Sequence, residues 1–271
     1  VVQQVSLSRD VRGRHALQQL VDPKRSEAER DRLIANANGA SAVDAVTAAV
    51  LMAAIEEHRA SGTSEPVEYC PPGDPQTDRT LHNLLGTLPS GCEQTRSRRA
   101  PPRDRLAIVP AHQVISEEGI ELAVLGLRAI APYVGLSKEE REIGAAATIA
   151  FAANGLRHAP ASPCGLILCA GIERESSALI IAAVDMGAGA AESARDVDDL
   201  RAAIETSRRV FGGLTQLTAH ARRKELDVTL YLANGTGEAV WNGRWAYGLQ
   251  SHVPGWCSTL TVHRTSPRRK P

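Results

Sequence analysis

The chain has 271 residues, more than one typical domain, so two domains of unequal size are expected. Its 31 Lys plus Arg balance 31 Asp plus Glu, which excludes a general attraction to polyanions. Aromatics at 3% leave little material for stacking unpaired bases, so nucleic acid is not an expected partner.

Five cysteines (Cys70, Cys92, Cys164, Cys169, Cys257) are scattered without a CxxC pair, against both a disulfide framework and a zinc site. The amino terminus, VVQQVSLSRDVRGRH, lacks the charged and apolar order of a signal peptide. No apolar run reaches the roughly 18 residues of a membrane span. A soluble, cytoplasmic protein with no membrane contact is expected.

In chain order, DAVTAAVLMAAIEEHRASG (44–62) predicts a helix with a long apolar face and a terminal Gly, followed by a strand in PVEYC (66–70) and a short helix in DRTLHNLLGTL (78–88). These elements make residues 1–92 a small α/β domain. Gly, Ser, Pro and Arg then replace the apolar pattern, and residues 93–107 read as a solvated Arg/Pro-rich linker; HRTSPRRKP at the end gives a basic tail over 265–271.

Residues 108–264 form the second domain. SEEGIELAVLGLRAIAPYVG (116–135) has two acids in its first turn, favourable for the helix dipole. SKEEREIGAAATIAFAANGLRHA (137–159) opens with Ser137 and Glu140, the spacing of a capping box. Asn154 and His158, at i and i+4, share a face near its end. Two strands, CGLILCAGI (164–172) and SALIIAAVDMG (177–187), can pair through ERES as a hairpin. An acidic helix (196–209) leads to a glycine-started helix (211–225), and three strands are expected at 227–234, 238–245 and 256–264. The fold class is α+β: an antiparallel or mixed sheet covered on one face by helices.

The chemistry centres on VDMGAG. An acid at a strand end, Asp185, can accept from an exocyclic amine, while Gly187 and Gly189 let backbone approach a flat ring without Cβ atoms. The alternative is a turn that Asp185 caps and the glycines relax. Asn154 offers an amide oxygen to Mg²⁺, or is a satisfied helix terminus. Gly212, Gly213 and Leu214 start a helix whose free N–H groups favour an anion, with Arg208 and Arg209 just before it.

Taken in order, FAANGLRHA, VDMGAG and GGLTQL resemble the N box, the G1 box and a reduced G2 box, with only part of its glycine pattern, of the GHKL superfamily, the Bergerat-fold ATP-binding domain of histidine kinases, type II topoisomerases and anti-sigma-factor kinases. The resemblance implies ATP and Mg²⁺ as cofactors. Asp185 would bind the adenine amino group and Gly187 and Gly189 would line the base. Asn154 would hold the metal, with His158 beside it, and Gly212, Gly213 and Leu214 would lie behind the phosphates.

It also implies a protein serine kinase or an ATPase, with a lid over about 190–211. Where the N box carries an acid four residues before its Asn, however, this chain has Ala150, and Glu142 lies about two helical turns further back. General-base help is typically worth about 10²–10⁴ in rate. The expectation is therefore an ATP-binding regulator with weak or no turnover and a regulatory protein partner; the rival is an interaction scaffold with a degenerate pocket. Residues 43–62 resemble the strand-to-helix segment of STAS domains, with the phosphorylated position falling near Val46, beside Thr47.

Overall fold

The computed structural model describes residues 2–6, 10–11, 32–60, 67–86, 92–94, 107–158, 165–173, 175–185, 197–209 and 212–263. Its first part is parallel. Strands β1 (Val2–Ser6), β3 (Arg32–Asn36), β5 (Val67–Cys70) and β6 (Cys92–Gln94) lie side by side in that order, and β2 (Asp10–Val11) pairs with β4 (Ala42–Val43). Helices α1 (Ala45–Ala60) and α2 (Pro75–Leu85) make the crossovers from β3 to β5 and from β5 to β6.

Asp44 and Thr47 tie down the start of α1. The Thr47 amide donates to Asp44 Oδ1 at 3.0 Å and the Asp44 amide donates to Thr47 Oγ1 at 3.2 Å, so two amides without helical partners are satisfied reciprocally. Thr47, the hydroxyl beside the expected phosphorylated position, is fully buried and engaged in this cap. Asp44→Ala removes one half of the cap inside the protein, and we expect it to lower stability by about 1–2 kcal/mol, read as a lower urea midpoint at unchanged slope.

The second part is antiparallel. Strands β7 (Ala107–Val114), β8 (Leu166–Ile172), β9 (Leu179–Asp185), β10 (Val228–Asn242) and β11 (Arg244–Val262) form one sheet in the order β10, β11, β9, β8, β7. Before β8 come α3 (Glu117–Ile130), a 3₁₀ turn (Ala131–Val134) and α4 (Lys138–His158). The expected capping box opens α4: the Ser137 amide donates to Glu140 Oε2 at 2.6 Å and the Glu140 amide to Ser137 Oγ at 3.1 Å. Between β9 and β10 lie α5 (Val197–Arg209) and α6 (Gly213–Arg223). The architecture is α+β, with helices packed against an antiparallel sheet.

Three differences from the sequence expectation concern this sheet, the first being its edge strand β7, which no expected element covers. Three closing strands were expected, and two long ones are found: β10 runs unbroken through residues 234–238, and the chain reverses at Asn242 and Gly243, where Gly243 has φ +74°. Asn-Gly between alternating apolar residues is a strong hairpin signal, here lying inside what reads locally as a strand.

Helices were also expected on one face of the sheet, and both faces are covered. Along β8 and β9, Leu166, Leu168, Ala170, Leu179, Ile181 and Ala183 join a core with α3, α4 and α6. The alternate residues Ile167, Cys169, Ile180, Ala182 and Val184 join a second core with α1 and with Leu33, Ala35, Val67 and Tyr69 of the parallel sheet. Helix α1 is thus a wedge between two sheets, and its residues from Ala45 to Ile55 are all buried. Beside it, α2 brings the Leu84 carbonyl within 3.7 Å of the Cys169 thiol. Burial pushes the thiols of Cys169 and Cys257 upward, so both remain protonated in the folded chain.

Candidate functional site

Asp185 ends β9 and is buried. Its Cα pairs with Trp256 of β11, and Trp256 pairs in turn with Asn234 of β10. Directly opposed residues share a face, so Asp185, Trp256 and Asn234 form a lateral row across three strands, on the face covered by α4. The row lies where the hairpin pairing is irregular: register shifts flank Gly235, and Gly235 and Gly255 have φ +55° and +80°. Such bulges re-aim side chains beside a strand end. The buried Asn234 Oδ1 has no hydrogen-bond partner among the described residues. Thr259, by the same alternation, belongs to the opposite face and is not part of the row.

Helix α4 runs along β9 and brings its expected site residues to the same end. A Cβ on Gly144 would lie 3.2 Å from Leu179 and 3.3 Å from Ile181, at the start and middle of β9. A Cβ on Gly155 would lie 2.8 Å from both Leu166 methyls, and Leu166 precedes the partner of Val184. Gly155 therefore lies inside the helix, which continues to His158, and does not cap it. Asn154, half-buried, adjoins this contact at the Asp185 end of the sheet. The backbone of His158 closes α4, and its side chain lies outside the described set.

The start of α6 lies on the same helix. A Cβ on Gly213 would meet the Ala150 methyl at 3.1 Å, so the two backbones approach closely because neither residue carries a longer side chain. Asn154 is one turn from Ala150 on that face, about 6 Å along the axis. Gly212, the N-cap, is extended at φ −67° and ψ 176° and makes no side-chain cap, so the first amides of α6 have no such acceptor. The Leu214 side chain packs into the core and anchors this turn.

Two of the eight expected site residues, Gly187 and Gly189, lie outside the described residues. Of the others, Asp185, Asn154, Gly212 and Gly213 lie at the end of β9, in the last turns of α4 and at the start of α6. Glu142 points away from them: it is exposed and pairs with Lys138 at 3.8 Å. Within the expected lid, α5 is a packed helix whose Leu200 and Ile204 are buried in the core.

Asn234 carries no signal in the sequence, because a lone Asn at an apolar strand's end gains meaning only when the register sets it beside Trp256. Among the described residues no group of three or more His, Cys, Asp or Glu is placed to hold a metal ion, and no helix is long and apolar enough to cross a membrane. The chain matches no family model, no curated protein and no solved structure.

Proposed function

We propose that the chain is an ATP-binding regulatory protein of the histidine kinase-like type, in which Mg·ATP controls the capture of a protein partner and turns over weakly or not at all. The observation that carries the reading is the convergence of Asp185, Asn154 and the uncapped start of α6 at one end of the sheet. The order α4, β8, β9, α5, α6, β10, β11 supports it as well.

The residues present fit a nucleotide. A buried carboxylate and a buried amide oxygen flank an indole at the base end, and helix amides without a capping side chain suit phosphate oxygens. Asn154 would hold the Mg²⁺, which neutralises phosphate charge when bound. Weak turnover follows from Ala150, since among the described residues Ala150 and no carboxylate stands where α6 meets α4, and Glu142 faces solvent beside Lys138.

Calorimetric titration with Mg·ATP tests the reading. The intact protein is expected to bind saturably, and Asp185→Asn to lose about tenfold or more in affinity, the scale of a hydrogen bond to a charged group. Absence of binding to the intact protein, or equal binding to the variant, overturns it. A second reading, an interaction scaffold with a closed pocket, is favoured by the tight contact of Gly213 on Ala150, which leaves no room for a longer side chain there.

A further inference from the structure

The β10–β11 hairpin continues well past the end of β9, and one face of this extension carries Trp241, Trp245 and Tyr247. Trp241 opposes Trp245, and Trp245 stacks with Tyr247 at 6.4 Å between ring centroids and 22° between planes. Together with α5 and α6 they enclose a cleft of about 520 Å³. That volume falls within the roughly 300–1,000 Å³ of small-molecule sites. In a chain with so few aromatics, two of three tryptophans are gathered here.

The cleft is also cationic. Arg201 of α5, Arg222 of α6 and Arg244 of the hairpin turn line it against one acid, Glu205. The Arg201 guanidinium lies 4.9 Å above the Tyr247 ring, and that of Arg222 lies 5.7 Å above Trp241. A cation–π contact does not neutralise a guanidinium, so each keeps its charge and its N–H donors for an anion. Arg222 uses one of them on the Gly243 carbonyl, and Arg201 faces Asp198 only at 3.7 Å, in an exposed pair. The Thr215 hydroxyl, also in the lining, makes no hydrogen bond among the described residues. Thr215, Thr218 and Arg222 line the cleft from α6, while Leu217 and Ala221 of the same helix pack in the core, and Asp185 is not among the residues that line the cleft.

We propose that this cleft is a second ligand site, for a small planar organic anion: a ring bearing a carboxylate or a phosphate. The ring fits the aromatic wall, and the anion meets the guanidinium groups held against that wall. Trp241 and Trp245 report on occupancy, so the intact protein is titrated by intrinsic fluorescence with phenyl phosphate and with benzoate, and with phenol and inorganic phosphate as partial probes.

Saturable quenching by phenyl phosphate or benzoate is expected, whichever binds tighter naming the acid, with phenol and inorganic phosphate each weaker by about tenfold or more. Arg244→Gln, at an exposed turn position that leaves folding intact, is expected to weaken binding by about tenfold, and Asp185→Asn to leave it unchanged. Quenching that fails to saturate, equal binding of phenol or inorganic phosphate, indifference to Arg244→Gln, or loss in Asp185→Asn each overturns the proposal. The last two outcomes also separate its failure from that of the nucleotide reading, which rests on Asp185, Asn154 and the start of α6.

Discussion

Ala53→Asp is expected to lower stability by about 3–5 kcal/mol, the cost of an uncompensated buried charge. Ala53 has no exposed surface and lies in α1, where neither face of the helix reaches solvent: the parallel sheet packs on one side and β8 and β9 on the other. A carboxylate there has to be desolvated without a cation, to protonate, or to force the layers apart. For a chain of this size such a loss is a fall in Tm on the order of 10 °C. The control is Leu122→Asp on α3, where the side chain is 68% exposed and the change should stay within about 0.5 kcal/mol. Thermal melts of the two variants side by side test the wedge. If Ala53→Asp melts with Leu122→Asp, α1 is not clamped between two sheets.

The second large effect is expected at Gly155. An added Cβ would stand 2.8 Å from both methyls of Leu166, a side chain 1% exposed and therefore without space to move into. Overpacking of this kind costs about 1–3 kcal/mol, while replacing a helical glycine returns roughly 1 kcal/mol of backbone propensity. Gly155→Ala should therefore fall near balance or somewhat below it. Gly155→Leu should lose stability clearly and also shift Leu166, the strand neighbour of Asp185.

Gly144 supplies the contrast on the same helix. Its added Cβ would meet Leu179, Ile181 and Leu127 at 3.2–3.4 Å, contacts that relax by a few tenths of an ångström, so Gly144→Ala should be close to neutral. Urea melts of the three variants decide whether distance sets the sign. Equal effects of Gly144→Ala and Gly155→Leu would refute it.

Both predictions separate what is readable locally from what is not. Asp44 with Thr47 and Ser137 with Glu140 each satisfy helix amides within three residues, so the starts of α1 and α4 are legible from spacing alone. The unbroken apolar runs of β8 and β9 are legible as strands for the same reason, because β-rich side chains between turn residues act over short range. Asp185 at a strand end, Asn154 on a helix and Gly212 and Gly213 at a helix start are likewise visible as residue types in order.

Other features depend on which elements meet. A strand buried on both faces reads as continuous apolar sequence, but nothing in β8 or β9 says that a helix from the other end of the chain covers the second face. The merging of two expected strands into β10 follows from pairing with β11, a partner supplied by later residues. Asn234 joins Asp185 only through register, and the arginine cleft joins side chains from α5, α6 and a hairpin that no local pattern connects. The sequence by itself determined the helices α1 to α6, the strands β5, β8 and β9 and the cap at Ser137, since those energies arise between near neighbours in the chain. The tertiary structure decided the second core, the row at the end of β9 and the cleft, because packing and strand register act between residues that only the folded chain brings together.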